Sequence, residues 1–183
     1  MFNQTDEKLI SKAIAGNKSA WLKLVKRYEK LVYNYALRMV SNQDDAMDLM
    51  QDTFLSVFRS LNTFRGESSF KSWMLKIAHY RCIEFYRRRK KTVDLDAVPE
   101  AFNEAGENCP ELSVVSQQQG EDLVGAMSQL PVNQRAVIEM KFFQFLTFED
   151  IAKQLGISTN TVKSRLYAGL GKMKQVLEVA NVN

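Results

Sequence analysis

An apolar residue at every third or fourth position is the feature that most limits what this chain can fold into. The spacing recurs in residues 19–40, 46–61 and 70–85. Because an α-helix has 3.6 residues per turn, this spacing gathers the apolar side chains on one face and predicts three amphipathic helices. No segment alternates between apolar and polar residues as a half-buried strand does, so the expected fold class is all-α.

Turn and capping signals set the limits of these helices. We expect the second helix to end near Asn62, where the turn-prone sequence NTFRGESS begins and Gly66 permits a bend. Ser68 or Ser69 should cap the third helix, because a serine hydroxyl accepts hydrogen bonds from the free N–H groups of a first turn. The residues of the second helix expected on its apolar face are Ala46, Leu49, Met50, Thr53, Phe54, Val57, Phe58 and Leu61.

The helical pattern stops in the middle of the chain. Residues 92–119 contain no Lys or Arg, and they include both Pro99 and Pro110, which is typical of an extended or mobile linker. Helical patterns resume over 121–129 and from Val132 to about residue 145. The sequence therefore predicts two small helical domains, residues 1–91 and 120–183, joined by a flexible acidic linker.

The total charge of +4 conceals an uneven distribution. Residues 1–91 contain 18 Lys or Arg against 9 Asp or Glu, residues 92–119 contain none against 6, and residues 120–183 contain 7 against 6. A strongly basic first half indicates a polyanionic partner for that part of the molecule. It does not by itself identify the polyanion.

The cysteines and the hydropathy pattern favour a cytoplasmic location. Cys82 and Cys109 are too few and too far apart for a zinc site, so we expect reduced thiols, with Cys82 in the core and Cys109 in a loop. No apolar run approaches the roughly 20 residues that a membrane span requires, and the N-terminus lacks the apolar stretch of a signal peptide. Direct membrane insertion, metals and cofactors are not expected.

Residues 147–174, TFEDIAKQLGISTNTVKSRLYAGLGKMK, predict a helix-turn-helix. A short helix over 148–155 ends at Gly156, which adopts left-handed backbone angles readily, and Ser158 or Thr159 caps a second helix. The second helix buries one stripe and exposes a polar, basic face, which is the arrangement that enters the major groove of DNA. The buried stripe comprises Val162, Leu166, Leu170 and Met173, and the exposed face comprises Asn160, Lys163, Ser164, Arg165, Tyr167 and Ala168.

Two chemically opposite surfaces are predicted in the first half. Asp44, Asp48, Gln51 and Asp52 share the face of the second helix opposite its apolar stripe, which suits a basic protein partner better than nucleic acid. The third helix ends in five consecutive cations, residues 87–91, after a face that interleaves basic and aromatic side chains. That mixture is typical of single-stranded DNA binding, where bases stack on rings and phosphates meet cations. The interleaved side chains are Lys76, His79, Tyr80 and Arg81.

Three motifs in this order resemble the sigma-70 family of bacterial RNA polymerase subunits. Residues 45–54, DAMDLMQDTF, resemble the region that binds the clamp helices of the β′ subunit. Residues 64–89, FRGESSFKSWMLKIAHYRCIEFYRRR, resemble the −10 recognition and melting region, and residues 130–173 resemble the −35-binding domain. Because no further domain is evident, the chain most resembles the extracytoplasmic-function group.

The resemblance implies a role for individual residues. Core polymerase binding would fall to Asp45, Asp48, Gln51 and Asp52. Binding of the −10 element would fall to Phe64, Arg65, Ser68, Lys76, Tyr80, Arg81, Glu84, Arg87 and Arg88, whereas Trp73 should pack in the core. Binding of the −35 element would fall to Thr159, Asn160, Lys163, Ser164, Arg165 and Tyr167.

The implied function is that of a sigma factor. Such a protein binds core RNA polymerase through the β′ clamp helices and the β flap, recognises promoter DNA and promotes strand opening under the control of an anti-sigma factor. No residue pattern indicates a catalytic site. Two other functions stay open on the residues alone: a dimeric regulator that binds DNA without polymerase, and an adaptor that only sequesters a protein partner.

Overall fold

The computed structural model describes residues 5–93 and 114–180, and every regular element in these ranges is helical. The helices are α1 (Asp6–Ile14), α2 (Lys18–Val40), α3 (Gln43–Ser60), α4 (Phe70–Val93), α5 (Val114–Ser128), α6 (Val132–Ile138), α7 (Phe148–Leu155) and α8 (Thr159–Ala180). A 3₁₀ turn, Leu61–Thr63, follows α3, and a π-helical turn, Glu139–Phe143, follows α6. The prediction of an all-α fold is confirmed.

The chain divides into two compact units. The first comprises Met1–Ala36 with Ala46–Val98, and the second comprises Leu37–Asp45 with Pro99–Asn183. The second unit thus includes the end of α2 and the beginning of α3, a feature absent from the division that the sequence predicts.

The core of the first unit is formed by one face each of α1, α2, α3 and α4. Leu9 and Ile10 of α1 are buried against residues of the other helices such as Leu24, Val57 and Met74. The three predicted helices are confirmed to within a few residues, but α1 was not predicted. Phe58 was expected on the buried face of α3, and this was wrong, because its side chain is 54% exposed.

Side-chain caps begin several of the helices. Asn17 Oδ1 accepts a hydrogen bond from the Ala20 N–H at the start of α2, and Asn42 Oδ1 accepts one from the Asp45 N–H at the start of α3. Ser69 Oγ accepts a hydrogen bond from the Ser72 N–H, which confirms Ser69 as the cap of α4. These bonds satisfy donors that the first turn of a helix leaves without a partner.

The neighbouring helices extend into the predicted linker. Helix α4 continues through Val93 and α5 begins at Val114, so both ends of the segment 92–119 are helical. The stretch 114–119, VVSQQQ, has neither proline nor glycine, and the lack of Lys and Arg that suggested a linker is no obstacle to a helix. The rest of the linker, with Cys109, lies outside the described residues.

A buried ion pair contributes to the second unit. Arg38 donates from Nε and Nη2 to the Glu139 carboxylate, at 2.6 and 2.9 Å, and its guanidinium lies 4.0 Å from the centroid of the Phe143 ring. Burial raises the pKa of Glu139, and the Arg38 guanidinium opposes that rise. Arg135, also buried, donates to the carbonyl oxygens of Ser128 and Leu130 at 2.9 and 3.0 Å.

Helices α6 and α8 approach closely at Gly169. A Cβ atom added there would lie 2.8 Å from Ile138 Cδ1 and 3.4 Å from Gln134 Cβ, so the absence of a side chain permits this contact. Gly171, two residues later, has no such neighbour within 4 Å. Helix α8 continues past both glycines to Ala180.

These two glycines give a matched pair of stability predictions. We expect Gly171→Ala to raise the free energy of unfolding of the second unit by about 0.5–1 kcal/mol, because alanine loses less backbone entropy in a helix. We expect Gly169→Ala to stabilise the unit less than Gly171→Ala does, because the Ile138 side chain must shift to make room for the new methyl group. Thermal unfolding followed by circular dichroism measures both, and equal stabilisation by the two substitutions would contradict the close packing.

Candidate protein-docking and nucleic-acid interfaces

An acidic face covers the outer side of α3. Asp44, Asp48, Gln51 and Asp52 are all exposed, while the opposite side of the helix is buried at Ala46, Leu49 and Thr53. Asp45 lies in the first turn and is half-buried. Carboxylates arranged in this way, with their polar atoms in water, can attract a basic protein surface at low energetic cost.

An apolar groove borders this acidic face. The groove encloses about 660 Å³, and Gln51 lies on its wall together with apolar residues of α2 and α3. The Trp21 ring lines the groove. Its centroid lies 5.1 Å from the centroid of the Phe58 ring and 6.3 Å from that of the Phe54 ring. Leu55 and Phe58 are 52% and 54% exposed, so the groove presents uncovered apolar surface. The groove was not predicted from the sequence, because Phe58 was expected in the core.

The 62–69 loop is held to the first unit by an aromatic cluster. The Phe64 ring lies 5.5 Å from Phe70 and 5.3 Å from Trp73, centroid to centroid, and Phe70 lies 5.5 Å from Tyr28. Trp73 packs against the core, as expected. Phe64 is half-buried, while Arg65 and Ser68 of the same loop are exposed. Phe64 therefore anchors the loop, and its exposed neighbours are available to a ligand.

A cationic face lies along α4 and is defined by Lys76, Tyr80, Arg87 and Arg88, which are all exposed. The Tyr80 ring, 64% exposed, follows Lys76 by one helical turn. A ring beside cations suits a nucleic-acid strand whose bases are unpaired, because bases stack on the ring while phosphates meet the charges.

Arg81 and Glu84 form an ion-paired network at the border of this face. Arg81 Nη1 lies 2.6 Å from Glu84 Oε2, and Arg81 Nε donates to Ser56 Oγ at 2.7 Å. Arg87 Nη2 lies 3.8 Å from the other oxygen of Glu84. Both Arg81 and Glu84 are half-buried. The structure thus fixes these two candidate residues by contacts within the unit, across α3 and α4.

His79 does not belong to the exposed face of α4, and its placement there was wrong. Its Nδ1 lies 3.2 Å from the Tyr35 hydroxyl of α2, and burial lowers the pKa of the imidazole to about 4. The residue follows Ala78, a fully buried position, and turns toward α2 with it. His79 is therefore a neutral, structural side chain at neutral pH.

We predict that acid weakens the first unit through His79, the only histidine of the chain. In the unfolded chain its pKa is about 6.5. Below that pH the unfolded state binds a proton that the folded state excludes until about pH 4. The free energy of unfolding should therefore fall by about 2 kcal/mol between pH 7 and pH 5, and His79→Gln, which keeps a neutral polar partner for Tyr35, should remove this loss.

Urea unfolding followed by tryptophan fluorescence measures this effect, because Trp21 and Trp73 both belong to the first unit. The difference between the wild type and His79→Gln isolates the histidine from the carboxylates that also titrate. An identical pH dependence of the two proteins would contradict the buried position.

The helix-turn-helix of the second unit has the predicted local structure. Thr147 caps α7 in a capping box with Asp150, and Gly156 ends α7 with left-handed backbone angles, φ +66° and ψ +34°. Ser158 Oγ accepts a hydrogen bond from the Thr161 N–H and so caps α8. The outer side of α8 exposes Asn160, Lys163, Ser164 and Tyr167, whereas Thr159 and Arg165 are half-buried.

Phe148 holds two lysines near the beginning of α8. The Lys163 ammonium lies 5.6 Å from the centroid of the Phe148 ring, and the Lys141 ammonium lies 4.7 Å from it. Lys141 also donates to the carbonyl oxygen of Leu146 at 3.2 Å. Lys163 was predicted from the sequence, but its neighbours Lys141 and Phe148 were not, because no helical periodicity relates residues so far apart in sequence.

Family models and relatives match both parts of the chain. Residues 24–92 match sigma-70 region 2, and residues 120–173 match sigma-70 region 4. The RNA polymerase sigma factor SigV of Bacillus subtilis is 34% identical over 142 residues, which cover 78% of this chain and 81% of SigV. The ECF RNA polymerase sigma factor SigE of Mycolicibacterium smegmatis is 32% identical over 86% of this chain, which spans 62% of the length of SigE.

Two solved structures share the fold. The sigma factor RpoE of Bartonella quintana, in a complex with the anti-sigma factor NepR, superimposes with a TM-score of 0.67 at 22% identity over 86% of this chain and 96% of that one. CnrH, in a complex with the cytosolic domain of CnrY, gives 0.65 at 21% identity over 95% and 97%. The chain belongs to the extracytoplasmic-function group of the sigma-70 family of RNA polymerase sigma factors.

In the part of the chain that the structure describes, no helix is both long and apolar enough to cross a membrane.

Proposed function

We propose that this chain binds core RNA polymerase, directs it to promoters with −10 and −35 elements, and promotes strand opening. The observation that carries the proposal is a pair of unlike surfaces on neighbouring helices: the acidic face with its apolar groove on α3, and the cationic face on α4. A protein that only bound DNA would not need the first surface. One that only sequestered a protein would not need the second.

The acidic face is the proposed docking surface for the β′ clamp helices. Asp48, Gln51 and Asp52 would meet basic side chains of the partner, with Asp45 at the edge of the contact. The apolar groove beside Gln51 offers the buried contact area that a charged rim alone lacks. Interfaces of this kind usually gain most of their affinity from a few central apolar or aromatic contacts.

Strand opening would take place between the 62–69 loop and the cationic face. Extruding a base from the duplex costs a few kcal/mol, which binding must offset. Lys76, Tyr80, Arg87 and Arg88 would hold the unpaired strand, since stacking alone contributes about 1–3 kcal/mol per base. Arg65 and Ser68 would contact it from the loop, which Phe64 holds in place. Arg81 and Glu84 would contact the strand at the border of the cationic face.

The second unit is proposed to bind the −35 element with α8 in the major groove. Its exposed residues Asn160, Ser164 and Tyr167 would contact bases or sugars, while Lys163 and Arg165 would contact phosphates or guanine edges. Thr159, in the first turn of α8, would face the sugar-phosphate backbone of the DNA. The β flap of the polymerase is the protein partner proposed for this unit.

The division of labour follows the predicted domains. Residues 1–91 would bind polymerase and the −10 element, residues 120–183 would bind the −35 element, and the acidic segment 92–119 would connect them. Sigma factors are not catalysts, and we propose that the polymerase supplies all of the chemistry. A factor with this role works in the cytoplasm, at the nucleoid when active.

We propose that an anti-sigma factor controls this chain. CnrH and the Bartonella sigma factor are both complexed with a second protein in their solved structures, and for the Bartonella factor that protein is an anti-sigma factor. The partner would cover the docking surface and could hold the chain at the membrane. Copurification from resting and induced cells tests this, and recovery of polymerase without any inhibitor in both states would count against it.

The docking proposal predicts the behaviour of Asp48→Ala/Gln51→Ala. We expect this double variant to bind core polymerase about tenfold or more weakly, because it removes two polar contacts that are proposed to meet the β′ clamp helices. Promoter-specific transcription should fall with it at limiting concentrations of the factor. Promoters selected by the wild-type holoenzyme from a randomised DNA pool provide the template.

The matched control is Asp122→Ala/Gln129→Ala, which removes an exposed carboxylate and an exposed amide from α5 and its end. It should bind polymerase and transcribe like the wild type. Normal transcription by Asp48→Ala/Gln51→Ala would show that the docking surface is elsewhere. Absence of promoter-specific transcription by the wild type would refute the function itself and favour the regulator or the adaptor.

Lys163 provides a prediction for the −35 surface. Replacing a phosphate contact by Lys163→Gln should weaken binding of −35 DNA and lower the slope of log affinity against log salt concentration by about 1. Lys172→Gln, an exposed lysine further along α8, is the control and should leave the slope unchanged if α8 binds through its first turns. Fluorescence anisotropy at several salt concentrations measures both, and equal slopes for the two variants would contradict the proposed orientation.

A further inference from the structure

A second, smaller pocket lies between α1 and the 62–69 loop. It is a shallow, open depression of about 310 Å³, and its lining residues are Glu7, Ile10, Ser11, Ile14, Phe64 and Gly66. Its wall from α1 presents a carboxylate and a hydroxyl, and its wall from the loop presents the partly buried Phe64 ring. None of the roles assigned so far uses the polar side chains of α1.

Helix α1 is fixed firmly enough to form the wall of a binding site. Leu9 and Ile10 are buried in the core, and Asp6 pairs with Arg27 and accepts a hydrogen bond from the Tyr28 hydroxyl, both on α2. Tyr28 in turn packs against Phe70, a member of the aromatic cluster that holds the loop. Both walls of the pocket are thus fixed to one cluster, while Glu7 and Ser11 stay exposed.

Building on the proposed function, we infer that this pocket binds one unpaired guanine of the opened promoter strand and that Glu7 determines this specificity. A carboxylate accepts hydrogen bonds and donates none. Guanine offers N1–H and the N2 amino group side by side, so it can donate two hydrogen bonds to one carboxylate. In adenine and cytosine the single amino group lies beside a ring nitrogen that accepts hydrogen bonds, and in thymine the N–H lies between two carbonyl groups. None of these three bases can therefore donate two hydrogen bonds to one carboxylate.

The surroundings of the pocket favour a base over a protein segment. The pocket borders the loop whose exposed Arg65 is proposed to contact the −10 strand, so a base entering it would keep its phosphate near a cation. Ile14 and Phe64 offer apolar surface to the faces of a base. Gly66 lines the pocket with no side chain, and an added Cβ there would meet nothing within 4 Å, which leaves the site open toward the loop.

Inosine provides the test, because it is guanine without the N2 amino group. The holoenzyme is bound to a promoter whose two strands are non-complementary in the opened segment, so that a base change does not alter duplex stability. Each guanine of the unpaired strand is replaced by inosine in turn. We expect one position at which inosine weakens binding of the wild type about tenfold, the usual effect of losing a hydrogen bond to a charged group.

The same comparison is made for Glu7→Ala and for Glu67→Ala, an exposed carboxylate of the 62–69 loop that does not line the pocket. Glu7→Ala should bind the guanine and inosine promoters equally, and Glu67→Ala should discriminate like the wild type. Since each variant is compared with itself on two promoters, a general loss of stability cannot imitate this result.

Three outcomes would overturn the assignment of a guanine site to Glu7 while the proposed function stands. They are a holoenzyme that opens promoters but treats guanine and inosine alike at every unpaired position, selected promoters that have no guanine in the opened strand, and discrimination that persists in Glu7→Ala. A wild-type chain that opens no promoter with core polymerase would instead refute the proposed function, and this assignment with it.

Discussion

Contacts among the rings of Tyr28, Phe64, Phe70 and Trp73 are the interaction on which the first unit depends. They join α2, the 62–69 loop and the beginning of α4 in one cluster, with ring centroids 5.3–5.8 Å apart where the rings meet. Aromatic pairs of this geometry contribute about 0.5–1.5 kcal/mol each beyond the burial of their surface. A loop with only polar residues would have to be ordered by its ligand, whereas this one is held by the core.

The electrostatics of the first unit depend on where charges lie and not on their sum. The acidic face lies on α3 and the cationic face lies on α4. Because residues 1–91 carry more cations than anions, their net charge alone does not reveal the acidic face. At physiological salt the field of an exposed charge fades over about 8 Å. A partner that contacts one face therefore responds mainly to the charges of that face, so one small domain can bind a basic protein and an anionic strand together.

Periodicity and capping residues predicted most of the helices, because these signals act between residues near in sequence. Contacts between distant residues were not predictable in this way. Helix α1 was missed because it is nine residues long and buries only Leu9, Ile10 and Ala13. His79 was assigned to the exposed face because its orientation depends on Tyr35, 44 residues away. The candidate residues were identified by type and resemblance, but which of them the fold holds in pairs, as with Arg81 and Glu84, only the structure reveals.

Both units hold candidate DNA-binding cations by contacts of their own. Ser56 and Glu84 fix Arg81 in the first unit, and the Phe148 ring lies beside Lys141 and Lys163 in the second. Ordering a long cationic side chain costs up to about 2 kcal/mol of conformational entropy. Where folding has already ordered such a side chain, DNA binding loses less conformational entropy. More of the electrostatic attraction then remains to offset the unstacking of bases. Lys76 and Arg87, which are more exposed than Arg81, would contribute more to the attraction of the strand than to its precise placement.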